Sequence, residues 1–117
     1  MLRVSHSYRH LSICCPMPVT RELPESTARA AAAHLAALAD PVRLRLLMMI
    51  RGAPSGEICA CDLPEAVERA QPTVSHHLSV LLRAGIVTRE QRGKWAWFSI
   101  SDDAAESVDA IMAAVVR

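Results

Sequence analysis

The sequence predicts a mainly helical domain that carries one β-hairpin, and three observations support this fold class. Apolar residues recur at helical spacing in several segments, which proline or glycine residues separate. One helix with a polar front ends at a glycine. Two runs of β-prone residues follow that helix and flank a polar turn. This order of elements is typical of a winged helix-turn-helix, and 117 residues are enough for one such domain.

An arm is expected before this domain. Residues 1–23 show no periodicity and contain two prolines, so we predict an extended or flexible segment there. The winged domain is expected over residues 24–117. Its first helix is predicted over residues 24–39, where alanine is abundant, with Ser26 or Thr27 as the cap.

Proline and glycine mark the ends of the next two helices. Asp40 is suited to cap the second helix because its carboxylate can accept backbone N–H groups, and the proline after it fits a first helical position. This helix is predicted over residues 41–51 and is followed by a loop that contains glycine and proline. A third, short helix is expected over residues 59–69.

The following helix, residues 72–84, is predicted to face DNA. Gln71 can cap it, and Pro72 suits its first position because the missing N–H would be unpaired there. The helix should end at Gly85, where a positive φ costs little. Its apolar side repeats at helical spacing: Val74, Leu78, Leu81 and Leu82. Its polar front would read base edges in the major groove, through Gln71, Thr73, Ser75, His76 and His77.

Residues 86–100 are expected to form the wing. Two β-prone runs flank a polar turn that contains Gly93. We expect the tip to contact DNA phosphates or the minor groove through Arg89, Arg92 and Lys94. Arg83, near the end of the preceding helix, is a further DNA-binding candidate. At least one ring of Trp95, Trp97 and Phe98 is expected to pack within the hairpin.

A last helix is predicted over residues 102–116, with Val108, Ile111, Met112 and Val115 at helical spacing. Neither this helix nor the first is needed to complete a helix-turn-helix, and both have small apolar faces. We therefore expect them to form the interface of a homodimer; the alternative is that they close the monomer core. A twofold dimer would present two recognition helices to successive major grooves, about 34–36 Å apart.

Charge is segregated along the chain, although the formal net charge is only +1. Residues 83–94 contain four cations and one acid, whereas acids concentrate over residues 62–68 and 102–109. One face should therefore be positive. Apolar runs are too short to cross a bilayer, and no apolar segment typical of a signal peptide follows the N-terminal arginines. We therefore expect a cytoplasmic protein that has no membrane partner.

Four cysteines occur as two close pairs, Cys14-Cys15 in the arm and Cys59-Ala60-Cys61 near the third helix. In the cytoplasm we expect thiols, metal ligands or redox groups rather than structural disulfides. Sulfur ligands select soft ions. On a regular helix, the side chains of residues i and i+2 point about 200° apart around the helix axis. Cys59 and Cys61 can therefore share an ion only if the helix begins late or unwinds; Cys59 is the stronger candidate.

Several stretches together resemble the arsenical-resistance repressors of the ArsR/SmtB family, over about residues 28–100. They cover residues 37–44, 58–63, 71–78, 84–87 and 93–95. The resemblance implies a dimeric winged-helix repressor that leaves DNA when a metal ion binds. The Cys-x-Cys-Asp-Leu segment that starts at Cys59 is similar to the ligand motif of thiolate sensors for arsenite, antimonite, cadmium or lead.

The resemblance also implies a role for the arm. This chain lacks a further cysteine shortly after Cys61, where Pro64 and Glu65 stand, so a three-sulfur site within the third helix is not expected. In relatives of this type, arm cysteines ligate together with the third helix of the partner subunit. The ligands implied here are Cys14, Cys15 and Cys59, with Cys61 as a fourth candidate.

The function implied is a homodimeric repressor, not an enzyme, that binds double-stranded operator DNA and is released by As(III) or Sb(III), with no permanent cofactor. One alternative is a Cd(II), Pb(II) or Zn(II) sensor that uses all four cysteines. Residues 102–117 contain no histidine, which argues against a nitrogen-and-oxygen zinc site there. A second alternative is a repressor switched by thiol oxidation. Two others are a DNA-bridging protein and an arsenate reductase, and the lack of a phosphate-cradling loop argues against the reductase.

Overall fold

A computed structural model describes residues 22–115 of the chain. In chain order its elements are α1 (Glu25–Leu38), α2 (Pro41–Gly52), β1 (Glu57–Cys59), a 3-10 turn (Ala60–Asp62), α3 (Leu63–Val67), α4 (Gln71–Arg83), β2 (Val87–Arg92), β3 (Trp95–Ile100) and α5 (Asp102–Val115). The predicted winged helix-turn-helix is confirmed, with α4 in the place of the recognition helix and β2–β3 as the wing. Residues 1–21 of the predicted arm, and with them Cys14 and Cys15, lie outside the described residues.

Asp40 caps α2 as the sequence predicts. Its Oδ2 accepts hydrogen bonds from the backbone N–H groups of Val42 and Arg43, at 2.9 and 3.1 Å. Pro41 occupies the first turn of the helix, where no intrahelical acceptor is available for an N–H. The backbone N–H of Arg43 contributes most to lowering the pKa of the Asp40 carboxyl below its usual range.

This lowered pKa predicts that acid weakens the fold through Asp40. The stabilisation is present above the unfolded-state pKa, near 3.8, and is lost as the pH falls through the lower folded-state pKa. Asp40→Asn keeps a capping oxygen that does not titrate, so it serves as the comparison. In urea unfolding from pH 7 to pH 2, the advantage of the wild type over Asp40→Asn should disappear at the acidic end. Parallel pH curves for the two proteins would contradict this assignment.

The end of α4 also follows the prediction. Gly85 has φ +77°, and its backbone N–H donates to the Leu82 carbonyl at 3.0 Å. The N–H of Ile86 donates to the Leu81 carbonyl, also at 3.0 Å. These two bonds satisfy carbonyl groups that the end of a helix would otherwise leave unpaired. The chain thereby turns out of α4 directly into the wing.

Two predicted caps are wrong. The first helix already includes Ser26 and Thr27, because it begins after Pro24; among the described residues no side chain caps it. Gln71 is the first residue of α4 rather than its cap, since Ala70 stands at the N-cap position. Both errors displace a helix start by one to three residues, which is the usual uncertainty of helix ends.

The helix predicted over residues 59–69 is wrong in its first part. Residues Glu57–Cys59 form a short strand that pairs antiparallel with β3, with Cys59 opposite Trp97. The wing is therefore part of a three-stranded sheet in the order β1-β3-β2. Three residues are too few to show strand alternation, so the sequence pattern could not reveal this strand.

The core lies where α2, α3, α4, α5 and the sheet meet. Its largest fully buried side chains are Leu46, Leu47, Ile50, Leu63, Leu81, Ile86 and Met112. Several large apolar side chains are exposed, among them Leu35 (55%), Leu82 (36%) and Val115 (59%). Two of these, Leu35 and Val115, lie on the first and last helices. Within residues 22–115 no helix has the length and apolar character needed to span a membrane.

Candidate functional site

The recognition helix α4 presents an exposed polar front. The exposed candidates for DNA contact on this helix are Gln71, Thr73, Ser75, His76 and Arg83. The opposite side packs into the core through Val74, Leu78 and Leu81. The helix is thus held by its apolar side while hydrogen-bonding groups remain available to a duplex.

His77 is placed differently from the other candidates. Its Nδ1 lies 3.1 Å from Nη1 of Arg43 and 3.9 Å from Oδ2 of Asp40, and its side chain is 14% exposed. Because arginine only donates hydrogen bonds, Nδ1 is the acceptor in this contact. The contact joins α4 to the start of α2, which favours a positioning role over the predicted DNA contact. Sequence reasoning missed Arg43, which is 34 residues away and has no local pattern that identifies it.

A groove of about 380 Å³ lies between α4 and the wing. Its helix wall includes Gln71, Ser75, Ser79 and Leu82, and its wing wall includes Arg89, Gln91, Lys94 and Trp95. Cys61 also lines this groove. Polar groups on one wall and cations on the other are the groups that commonly contact DNA phosphates.

The predicted cations of the wing are not all at its tip. The turn consists of Gly93 and Lys94, and Gly93 has φ +62°. Arg89 lies in the middle of β2, opposite Phe98 of β3. Arg89 and Lys94 both line the groove, so the groove, more than the tip, concentrates positive charge beside α4.

Arg92 makes contacts within the sheet. Its Nη2 lies 2.8 Å from Oε1 of Glu57 and 2.7 Å from Oε1 of Glu90. Its guanidinium carbon lies 4.9 Å from the centroid of the Trp97 ring, a cation–π distance. Hydrogen bonds from Arg92 lower the pKa of Glu90, and the hydrogen bond to Glu57 is the main cause that raises the pKa of Arg92 itself. Glu57 was not among the predicted functional residues.

Cys59 and Cys61 come together at the start of α3. Cys59 ends β1 and is 3% exposed, whereas Cys61 lies in the 3-10 turn and is exposed. Their sulfurs are joined in a disulfide, with the Cα atoms 5.2 Å apart, and the Cys61 backbone N–H donates to Cys59 Sγ at 3.3 Å. Of the roles predicted for these cysteines, thiol, metal ligand or redox group, a disulfide corresponds to the redox group. The helix begins only at Leu63, and this late start satisfies the condition under which both sulfurs can face one ion.

The sulfur pair fits part of a site for a soft ion. When reduced, it offers two thiolates, whereas a trigonal thiolate site requires another sulfur. In the described segment no group of three or more His, Cys, Asp or Glu side chains is placed to hold a metal ion. The other cysteines of the sequence, Cys14 and Cys15, lie outside that segment.

The pair lies between two surfaces of the domain. Cys61 lines the groove beside α4, and Cys59 lines a second pocket of about 500 Å³. That second pocket also includes Met48 and Met49 of α2 and Trp97 of β3. The two sulfurs therefore border the groove, α2 and the sheet, and ion binding or oxidation at the sulfurs would act directly beside all three.

Comparison with known proteins decides the family. A family model described as "Bacterial regulatory protein, arsR family" matches residues 40–89. The arsenical resistance operon repressor of Staphylococcus aureus is 35% identical over 78 residues, which cover 63% of this chain and 72% of that protein. The chain belongs to the ArsR family. The arsenic resistance transcriptional regulator ArsR1 of Pseudomonas putida is 38% identical over 79 residues, which cover 68% of this chain and 60% of that protein.

The fold of this chain is also found among solved structures. The transcriptional repressor BigR from Xylella fastidiosa is 30% identical and has a TM-score of 0.65, with 80% of this chain and 93% of that chain covered. The named relatives are transcriptional regulators and not enzymes, in agreement with the sequence prediction. The matched family region contains Cys59, Cys61 and the whole of α4.

Proposed function

We propose that this ArsR-family chain is a repressor that binds operator DNA as a homodimer and is released when As(III) or Sb(III) binds its cysteine thiolates. The observation that supports this most is the meeting of the Cys59 and Cys61 sulfurs where α3 begins, with Cys61 on the groove beside α4. Two relatives named for arsenic resistance suggest the chemical class of the ion. The proposal that the ion is As(III) or Sb(III) rests on these two names and on the preference of thiolates for soft ions.

Dimer formation is proposed through α1 and α5. Leu35 and Val115 are large apolar residues that these helices leave exposed, and a partner helix would remove them from water. A twofold arrangement would place two copies of α4 on one face of a duplex, as a two-half-site operator requires. The DNA contacts proposed are the exposed polar candidates of α4, together with Arg89 and Lys94 of the wing: Gln71, Thr73, Ser75, His76, Arg83, Arg89 and Lys94.

The ion is proposed as an inducer and not as a permanent cofactor. Cys59 and Cys61 would hold it together with Cys14 or Cys15, and a soft ion there replaces thiol protons with metal–sulfur bonds. Because ligation requires thiolates, binding should weaken at low pH. An allosteric coupling of about 1–3 kcal/mol would lower operator affinity by roughly 5–150-fold.

The role of the arm can be tested with Cys14→Ser/Cys15→Ser. If the arm supplies a sulfur, this double variant should bind operator DNA as the wild type does but require much more arsenite for release. The measurement is fluorescence anisotropy of a labelled duplex during an arsenite titration. Release at the wild-type arsenite concentration would show that the arm has no part in sensing.

Lys94 provides a test of the proposed DNA interface. If its ammonium contacts a phosphate, Lys94→Gln should reduce the slope of log K against log salt concentration by about 0.9. Arg45→Gln on α2 is the matched control, because it removes an equal charge from an exposed position away from the groove and from the two helices proposed for the dimer interface. An unchanged slope for Lys94→Gln would place Lys94 outside the DNA interface.

The Cys59–Cys61 disulfide favours a second candidate, a repressor that leaves DNA on thiol oxidation. Peroxide would convert the two thiols to one disulfide and be reduced to water. The two candidates differ in their response: peroxide alone would release DNA from a redox switch, and arsenite would not. A Cd(II), Pb(II) or Zn(II) sensor is distinguished by parallel titrations with these ions.

A further inference from the structure

We infer that Arg92 is a positioning residue that fastens the wing to the cysteine-bearing strand β1 through Glu57, rather than a phosphate contact. Arg92, at the end of β2, would then transmit ion binding at Cys59 and Cys61 to the DNA-binding groove. The transmission part of this inference rests on the proposed function. The claim that Arg92 does not contact a phosphate is tested independently of the proposed function.

The register of the sheet places the participating side chains on one face. Cys59, Trp97 and Glu90 are direct partners across β1, β3 and β2. Side chains two residues apart on a strand share a face, so Glu57 and Arg92 lie on the same face as this row. Arg92 therefore extends from β2 over the Trp97 ring of β3 to reach Glu57 on β1. One side chain connects all three strands.

The opposite face of β2 is the one that borders the groove. Arg89 and Gln91 alternate with Arg92 along the strand, and both line the groove beside α4. On its own face, Arg92 contacts two carboxylates, and its side chain is 41% exposed. Two negative charges beside one guanidinium leave no local excess of positive charge for a phosphate. This electrostatic balance argues against the DNA contact that sequence patterning suggests for Arg92.

The connection joins the sulfur pair to the groove in a short path. Glu57 stands two residues before Cys59, and its side chain is 31% exposed. At the other end, Arg92 is followed by the turn residues Gly93 and Lys94, and Lys94 lines the groove. A shift of β1 when the sulfurs bind an ion would move Glu57. The ion pair would carry that movement to the wing.

The test compares Glu57→Gln with Glu90→Gln. Each variant removes one negative charge and one partner of the same Arg92 nitrogen, but only Glu57 lies on β1. The full chain is reduced with a phosphine and bound to a duplex that the protein selects from a random library. Anisotropy then gives the ratio of dissociation constants with and without saturating arsenite. Urea unfolding confirms that both variants are folded.

Glu57→Gln should reduce this ratio to less than half of the wild-type value, while Glu90→Gln should retain it. An equal ratio for Glu57→Gln and the wild type would overturn the inference. The second measurement needs no ion: Arg92→Gln should leave the salt slope of DNA binding unchanged, whereas a loss of about 0.9 would identify a phosphate contact and overturn the inference. If arsenite fails to release wild-type protein, the proposed function is wrong, and the salt slope alone decides the placement of Arg92.

Discussion

We expect Leu81→Ala to lower the free energy of unfolding by about 2–5 kcal/mol. Leu81 is fully buried in α4 and belongs to the core that α2, α3, α5 and the sheet share. Truncation removes apolar contacts and leaves a cavity that the surrounding helices can fill only in part. Small domains have total stabilities of roughly 5–15 kcal/mol, so this one change threatens the fold as a whole.

Leu82→Ala is the matched control for this prediction. It is the same substitution in the same helix, one residue further on, but Leu82 is 36% exposed. Its cost should stay below about 1 kcal/mol, within the usual range of surface changes. Urea unfolding followed by circular dichroism measures both values. Equal losses for the two variants would show that α4 does not pack as described.

The second large effect is expected from Cys59→Ser. This variant should bind DNA with an affinity close to that of the wild type but lose its response to arsenite, so that the release ratio falls from roughly 5–150-fold to about 1. Serine replaces sulfur with a hard oxygen, which is a poor ligand for a soft ion.

Met49→Leu is a suitable control for Cys59→Ser. Met49 lines the same pocket as Cys59 and carries the other type of soft sulfur, while leucine has a similar volume. The control should keep the full response to arsenite. A full response from Cys59→Ser would remove the thiolate site from consideration, and loss of response in Met49→Leu would show that the thioether is a ligand.

Short-range features of the fold were predictable from the sequence. The Asp40 cap and the Gly85 termination depend on contacts within a few residues, and in each case the residue type alone identifies the conformation. The order of α4 and the wing followed from periodicity and turn residues. The resemblance to the ArsR/SmtB family depended on five sequence stretches taken together, between residues 37 and 95, because each stretch alone is compatible with other folds.

Long-range contacts were not predictable in the same way. The strand Glu57–Cys59 exists because β3 offers it a pairing edge, and its three residues carry no pattern of their own. Arg92 and Glu57 are 35 residues apart, and neither shows a sequence signal for the other. The sequence therefore identified Arg92 as a cation near the wing tip but could not assign the face on which it lies.

The candidate site was partly predictable. Cys59 and Cys61 were identified by residue type and spacing, together with the condition that the helix must begin late, and Leu63 now marks that late start. His76 and His77 looked equivalent on the recognition helix. They differ in helical phase, because His77 stands three residues after the buried Val74, and α2 places Arg43 beside it, a neighbour that no local pattern reveals.

The most direct test of ion-controlled DNA binding is the affinity of the reduced full chain for its selected duplex, with and without arsenite. We predict that saturating arsenite weakens binding at least about 5-fold, that a small dithiol restores it, and that Cys59→Ser shows neither effect. Unchanged affinity at saturating arsenite, antimonite and cadmium would contradict the proposed coupling between the sulfur pair and the recognition helix.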